Sequence, residues 1–192
     1  MEYSAKQIDF MLKTLKLIYE KGFMATSMRD IAKHFNFEVA NVYNYIDSKD
    51  SILEYFIFHI LDEFEGYMSN VMDSSYSSED KLKFLISKHI RFTFNEPYQV
   101  ALFVYDWRNF KEPRLSEFKE RRKAYLEKFG AIIEDGIEQG VFRKMDIQMS
   151  TFLVFSSLRW LFNIIIHEKE ERNPIETEKF VTEYIFNGIG VT

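Results

Sequence analysis

Two asparagines three residues apart provide the clearest recognition chemistry in the sequence. Asn41 and Asn44 lie on one face of a short helix predicted from Glu38 to Tyr45. An Asn carboxamide can pair with the edge of adenine in the DNA major groove, and Val39 or Ala40 could contact thymine methyl groups. This face favours an A·T-rich DNA target, although the same asparagines would equally suit a helix face that is merely solvated.

Positive charge flanks this helix and is absent from it. Arg29 and Lys33 precede it, Lys49 follows it, and Lys6 lies in the N-terminal arm. Such cations could neutralise DNA phosphates, which orients a protein without reading sequence; for Lys6 and Lys33, an ordinary solvated lysine is an equally good interpretation. Residues 1–50 contain seven Lys or Arg and seven Asp or Glu, so the net charge of -5 belongs to the rest of the chain.

Catalytic and metal-binding chemistry is poorly represented. His59, Asp62 and Glu63 have a helical spacing that could hold a metal, but a di-metal bundle needs matching carboxylate and His pairs on other helices. A glycine-rich phosphate loop and a nucleophile elbow are missing, and the lack of cysteine excludes disulfides and thiolate sites. We therefore expect no cofactor, no bound metal and no enzyme activity.

The elements that position these residues are helices. Apolar residues recur at helical spacing, and seven Gly and three Pro are too few for an all-β protein. The pattern predicts an all-α fold of about nine helices, with a domain of residues 1–47 holding three short helices and a helical domain of residues 48–192. Helices are predicted at about 4–21, 27–35, 38–45, 48–70, 79–95, 97–110, 113–139, 146–167 and 174–188.

No targeting or membrane segment is expected. The first six residues are polar and no apolar stretch follows them, which argues against a signal peptide. Arg159 interrupts the longest uncharged run near the C-terminus before the ~20 apolar residues that a membrane span needs. The sequence thus predicts a soluble cytoplasmic protein that does not bind membranes.

The first 46 residues follow the helix-turn-helix pattern, in which a second short helix enters the DNA major groove. The stretch Ala25–Ala32, the pair Val42-Tyr43 and the triplet Ser48-Lys49-Asp50 together resemble the DNA-binding domain of the tetracycline-repressor (TetR) family. The similarity covers about residues 8 to 53. It departs from the family pattern at Asn36, where a turn Gly is usual, at Glu38, where Ser or Thr usually caps the helix, and at Tyr45-Ile46, where His-Phe is common.

The resemblance implies a homodimeric repressor that a small molecule releases from its operator, and twofold symmetry makes that operator an inverted repeat. In the family, hydroxyls matching Thr26 or Ser27 and Tyr43, and the amine matching Lys49, contact the DNA backbone. Tyr43 could instead pack under its helix. The predicted DNA-binding residues are Thr26, Ser27, Arg29, Lys33, Val39, Ala40, Asn41, Tyr43, Asn44, Tyr45 and Lys49.

The C-terminal domain is rich in aromatic residues, and the whole chain contains 20 Phe. Core packing explains each ring individually, but the excess suits a cavity for an apolar effector. The resemblance places such a pocket among the middle helices. The predicted pocket residues are Phe64, Met68, Phe84, Phe103, Trp107, Phe110, Tyr125 and Phe155.

The same domain is weakly similar to regulators that sense fatty-acyl or sterol thioesters of coenzyme A. The similarity lies in Tyr105–Arg108, Glu134–Gly136, Gly140–Phe142 and Leu158–Trp160, and the basic run 121–123 could meet phosphates at a pocket mouth, although a solvated helix face is the simpler interpretation. Few carboxylates accompany the aromatic stretches, so we expect an elongated acyl effector in preference to a cationic drug.

The segment Met149 to Ile166 is apolar nearly all round, so it must be covered on every side. The resemblance implies a dimer through the last two helices, while the face of this segment that lines the pocket is left open. The predicted interface residues are Phe152, Arg159, Phe162, Ile166, Phe180 and Tyr184. The alternative class is a helical ligand carrier or metal-binding enzyme whose N-terminal domain no longer binds DNA.

Overall fold

The computed structural model describes residues 3–168 and 172–190, and these confirm the all-α prediction. Apart from one isolated antiparallel bridge between Phe142 and Gly190, the described residues contain no β-structure. A 3-10 turn spans Trp107–Asn109. The helices are α1 (Ala5–Lys21), α2 (Met28–His34), α3 (Val39–Val42), α4 (Lys49–Met72), α5 (Ser78–Asn95), α6 (Pro97–Tyr105), α7 (Arg114–Glu138), α8 (Ile147–Arg159), α9 (Leu161–His167) and α10 (Pro174–Ile189).

The chain divides into two compact units. The N-terminal unit comprises the residues up to Ile60 together with Tyr98–Phe118, and the C-terminal unit comprises Leu61–Pro97 together with the residues from Lys119 onward. The N-terminal unit is therefore larger than the predicted domain of residues 1–47, since it includes most of α6 and the first half of α4. Three short helices are too small to bury their apolar faces alone, so further helices must cover them.

Local signals define α1 and α2. Ser4 and Gln7 form a capping box at the start of α1, and Gly22, at φ 89°, ends it. Ser27 and Asp30 form a second capping box at the start of α2. Asn36, which stands where the family pattern usually has a turn Gly, has φ 55°, a left-handed conformation that Asn tolerates.

The predicted recognition helix is shorter than expected. Regular α-helix covers only Val39–Val42, and the chain then continues in a turn in which the amides of Asn44 and Tyr45 bond to carbonyls three residues back. Glu38 stands at the N-cap and makes no capping hydrogen bond through its side chain. The amide of Asn44 bonds to the carbonyl of Asn41, so a single helical turn still joins the two asparagines.

Two other predicted helices end earlier than their apolar patterns suggest. The helix predicted to reach Phe110 ends at Tyr105 and is followed by the 3-10 turn. The helix predicted from 146 to 167 is interrupted at Trp160, which ends α8 before α9 begins. Neither Gly nor Pro marks these two ends.

One stretch of the described chain, Ile147–His167, is long and apolar enough to cross a membrane by length and composition alone. Its mean hydropathy reaches 1.5, and 28% of that window is buried. Core helices of soluble proteins also pass this test, and here the helix is interrupted inside the stretch. The absence of membrane binding stays a prediction.

The contact between α7 and the chain that follows it depends on a glycine. A Cβ at Gly136 would lie 2.2 Å from the buried ring of Phe142, whereas a Cβ at exposed Gly66 in α4 would meet nothing within 4 Å. Gly136→Ala should therefore lower the free energy of unfolding by about 1–3 kcal/mol through overpacking. Gly66→Ala should raise it by about 0.5–1 kcal/mol, because Ala loses less backbone entropy in a helix. Urea unfolding at matched protein concentration measures both, and equal effects would contradict this account of the contact.

Candidate functional site

The face predicted to read bases is open to solvent. Ala40, Asn41 and Asn44 are exposed, and Tyr43 is 54% exposed, so it does not pack under its helix. Val39 is partly covered, and only Val42 of α3 is buried in the core. Four side chains of this turn and helix can therefore reach a major groove.

The flanking groups on α2 are also accessible. Arg29 and Lys33 are exposed on the helix that precedes the turn. Ser27 is exposed as well, but its hydroxyl already caps α2 by accepting from the amide of Asp30 at 3.2 Å. Lys21 and Ser27 bond to the Asp30 carboxylate and hold its pKa well below its usual value.

Thr26 cannot contact DNA as predicted. Its side chain is only 2% exposed, and its hydroxyl donates to the carbonyl of Gly22 at 2.8 Å. The hydroxyl therefore stabilises the turn between α1 and α2. Of the two hydroxyls named by the family pattern at this position, only that of Ser27 lies on the surface.

Lys49 has a structural role that sequence reasoning missed. Its ammonium donates to the carbonyl of Thr26 at 2.7 Å and to the carbonyl of Phe23, and it lies 4.2 Å from the centroid of the Phe23 ring. Desolvation lowers the pKa of Lys49. The residue thus braces the loop between α1 and α2, and a phosphate would have to compete with these carbonyls.

The ring of Tyr45 packs against other aromatic rings of the N-terminal unit. Its ring is partly buried and stacks on Phe10 with centroids 4.5 Å apart, and it lies 5.8 Å from Phe37. Phe35 also stacks on Phe10, with ring centroids 4.4 Å apart. These ring contacts hold Tyr45 in place, and its contact with DNA stays a prediction.

Three of the predicted pocket residues lie in the N-terminal unit. Phe103, Trp107 and Phe110 surround the fully buried Phe118, with ring centroids 5.5, 5.2 and 6.0 Å from it. Within this unit the rings form an aromatic core.

The other five lie in the C-terminal unit, where Phe64, Tyr125 and Phe155 contact a residue that sequence reasoning did not select for the pocket. His89 stacks on Phe64 at 4.0 Å and meets the rings of Tyr125 and Phe155 at 5.9 and 5.3 Å. Its Nε2 lies 2.9 Å from the Tyr125 hydroxyl. We name Phe64, His89, Tyr125 and Phe155 the aromatic cluster. Met68 is buried in the same unit, and Phe84 packs against Tyr67.

The polar pair inside the aromatic cluster is uncharged at neutral pH. Burial lowers the pKa of His89 to about 3 and raises that of Tyr125 above its usual value. His89 and Phe155 are nevertheless only partly covered by protein atoms, whereas Phe64 and Tyr125 are buried. The cluster therefore combines accessible ring surface with a neutral hydrogen-bonding group.

Arg121, the first residue of the basic run predicted to bind phosphate, already pairs with two carboxylates. Arg121 pairs with Asp62 at 2.5 Å and with Glu65 through Nε at 2.9 Å. These carboxylates raise the pKa of the guanidinium further. Asp62 is thus a partner of Arg121, and among the described residues no group of three or more His, Asp or Glu could hold a metal.

The predicted interface residues divide between surface and core. Phe152, Phe180 and Tyr184 are 62, 69 and 71% exposed, Arg159 is exposed, and Ile166 is partly covered. Phe162 is fully buried within the C-terminal unit, so its assignment to a dimer interface is wrong. Leu153, at 58% exposure, is an apolar surface residue that the prediction omitted.

This fold and the exposed face of α3 define a helix-turn-helix protein with a helical C-terminal unit. Comparison with known sequences agrees: the family described as "Bacterial regulatory proteins, tetR family" matches residues 11–56, and "Tetracyclin repressor-like, C-terminal domain" matches residues 75–163. The chain belongs to the TetR family of transcriptional regulators. Members of this family bind operator DNA, function as dimers and are not enzymes.

Individual relatives are distant but match nearly the full length. The Bacillus subtilis fatty acid metabolism regulator protein is 19% identical over 185 residues, covering 96% of this chain and 95% of the relative. The structure of the ketosteroid regulator KstR2 of Mycobacterium tuberculosis superposes with a TM-score of 0.86 at 17% identity, covering 100% of this chain and 98% of that one. AibR in complex with isovaleryl coenzyme A and operator DNA gives 0.75 at 18% identity, covering 94% and 96%.

The two lysines of the candidate interface should behave differently. Lys49→Met should weaken operator binding and also lower the free energy of unfolding by about 1–3 kcal/mol, because it leaves the carbonyls of Phe23 and Thr26 without their donor. Lys33→Met, on the exposed end of α2, should reduce by about one unit the slope of log binding constant against log salt concentration. It should change the free energy of unfolding by no more than ~0.5 kcal/mol. Gel shifts at several salt concentrations and urea unfolding test the pair. If Lys49→Met were as stable as the parent, the loop would not depend on this brace.

Proposed function

We infer that this regulator is a repressor whose N-terminal unit binds an inverted-repeat operator and whose C-terminal unit binds an acyl ligand, with a fatty-acyl thioester of coenzyme A as the leading candidate. The observation that carries DNA recognition is the exposed face formed by Asn41, Tyr43 and Asn44, beside Arg29 and Lys33. Amides in this position can read adenine, while the hydroxyl and the cations bind phosphates. We place the protein in the cytoplasm, where an operator is accessible.

The aromatic cluster supports the ligand class. Its rings offer apolar surface for a hydrocarbon chain, and the His89–Tyr125 pair offers a neutral hydrogen-bonding group for a carbonyl oxygen. A relative is named as a fatty acid metabolism regulator, and a structural neighbour was solved with isovaleryl coenzyme A. Chemistry and similarity therefore favour the same class of effector.

Helix α4 provides the connection that a switch requires. It begins with Lys49, which holds the loop before α2, and continues through Phe64 and Met68 of the C-terminal unit. A ligand that binds one position of this helix more tightly than another shifts the equilibrium by that difference in affinity. A coupling of ~1–3 kcal/mol is sufficient for a useful switch.

An exposed apolar surface on α8 and α10 supports dimerisation through these helices. Phe152 and Leu153 on α8 and Phe180 and Tyr184 on α10 are each more than half exposed. α8 and α10 pack against each other, and exposed apolar surface on such a pair of helices favours a protein contact. We assign the dimer interface to these four residues, with Arg159 and Ile166 at its margin.

The effector proposal is tested on an operator selected from random DNA. Palmitoyl-coenzyme A should release the protein from this operator, and free coenzyme A should not. His89→Leu should raise the palmitoyl-coenzyme A concentration for half-release about tenfold, because Tyr125 loses its partner and the ligand carbonyl loses a donor. Fluorescence anisotropy of labelled operator measures both.

Two failures of this experiment have different meanings. If the protein binds the operator and no acyl compound changes that binding, the proposed ligand class is wrong. The assignment as a DNA-binding regulator is then unaffected. A protein that selects no DNA sequence, even at low salt, would favour the ligand-carrier alternative.

The interface proposal is tested at an exposed position. Phe180→Glu should fold normally and weaken dimerisation by about 2 kcal/mol or more, ~30-fold in the dissociation constant, since a charge would be buried without a partner. Gln139→Glu, which adds the same charge on an exposed residue after α7, should leave the dimer intact. Sedimentation velocity over a concentration series reports the change, and a fully dimeric Phe180→Glu would place the interface elsewhere.

A further inference from the structure

The N-terminal unit contains a pocket of about 210 Å³ between α1 and α6, separate from the aromatic cluster. Leu15 and Ile18 of α1 and Ala101 and Leu102 of α6 form its apolar lining. Pockets for drug-sized ligands measure about 300–1,000 Å³, so an occupant of this one must be small.

Three phenol rings surround the same pocket. Tyr19 of α1 meets Tyr98 of α6 edge to face at 5.7 Å, and Tyr105 lies about two turns further along α6. Burial raises the pKa of Tyr19, and its two neighbouring phenols add to this shift. The faces of such rings attract cations within ~6 Å of the ring centre.

Asp106, which directly follows α6, lines the pocket, and neighbouring groups only partly offset the burial of its carboxylate. The Asn109 amide donates to it at 3.3 Å, and Lys49 interacts with it electrostatically. The Lys49 ammonium is directed to the carbonyls of Phe23 and Thr26, however. Burial therefore outweighs these partners and raises the pKa of Asp106 to about 6.

We propose that this pocket binds a small organic cation, a primary ammonium on a short aliphatic or single-ring body. The ammonium would pair with Asp106 and face the tyrosine rings, while the body would occupy the apolar lining. A carboxylate ligand would be repelled by Asp106. A metal ion is disfavoured because the described part of the chain has no cluster of three His, Asp or Glu.

The site is additional to the acyl site and uses different residues. Leu15, Tyr19 and Asp106 belong to the N-terminal unit, whereas His89 and Tyr125 belong to the C-terminal unit. The occupant would contact α1 beside Gly22, where the loop braced by Lys49 begins. Binding of a cation in this pocket would therefore be a second way, besides the acyl ligand, to act on the unit that binds DNA.

The test uses the full-length protein without DNA or acyl-coenzyme A. Isothermal titration calorimetry compares 2-phenylethylammonium with its neutral analogue 2-phenylethanol and with the anion 3-phenylpropionate. The ammonium should bind saturably at one site per chain, and both analogues should bind about 10- to 100-fold more weakly, the range expected for loss of a charged hydrogen-bonding partner.

Variants locate the site. Asp106→Asn keeps the shape of the side chain and should weaken ammonium binding to the same extent, whereas Asp135→Asn, at an exposed position on α7, should bind like the parent. If circular dichroism shows that Asp106→Asn does not fold, Tyr98→Leu takes its place in the binding test. This variant removes one ring face without changing the charge, and it should also weaken ammonium binding.

Three results would overturn the proposal: no saturable ammonium binding in the millimolar range, equal affinity for ammonium and alcohol, or parental affinity in the folded pocket variant. None of them bears on release of the operator by palmitoyl-coenzyme A, so the two proposals fail independently.

Discussion

The N-terminal unit depends on covering the apolar face of α1. Helices as short as α2 and α3, with seven and four residues, are not stable in isolation. They are held because Phe10 of α1 stacks on Phe35 and on Tyr45, the residues that follow α2 and α3. These ring contacts therefore position exposed Asn41 of α3 and exposed Asn44 of the turn that follows it.

The same dependence extends to the loop that begins α2. Two buried interactions shape it: the Thr26 hydroxyl bonds to Gly22, and the Lys49 ammonium bonds to the carbonyls of Phe23 and Thr26. If a phosphate takes Lys49, those carbonyls lose a donor, and the cost reduces the net affinity gained. Because the Lys49 ammonium holds the loop before α2, a phosphate contact at Lys49 would also change the conformation of this loop.

Features set by neighbouring residues could be predicted from the sequence. Helices are predicted at about 4–21 and 27–35, and α1 and α2 form at Ala5–Lys21 and Met28–His34, each beginning with a capping box whose groups lie within three residues. The amphipathic spacing likewise predicted the all-α fold and the helix order.

Features set by distant residues could not be predicted in this way. Lys49 is 23 residues from Thr26, and His89 is 36 residues from Tyr125. An apolar run shows that a helix must be covered without showing which face its own chain covers and which face a partner covers. The sequence therefore predicts Phe162 in the dimer interface, although its own chain buries it. α8 and α9 are separate helices on either side of Trp160, so faces inferred from the spacing of one continuous helix do not apply to both.

The state of His89 bears on which acyl compound the aromatic cluster could accept. A free fatty acid would bring a carboxylate among these rings, where an unpaired charge is costly. A protonated imidazole could compensate it, but burial lowers the pKa of His89 and so opposes its protonation. A thioester presents a neutral carbonyl oxygen, to which a neutral imidazole or the Tyr125 hydroxyl can donate without any change of charge. In the proposed acyl site, this uncharged polar pair therefore favours a thioester over the free acid.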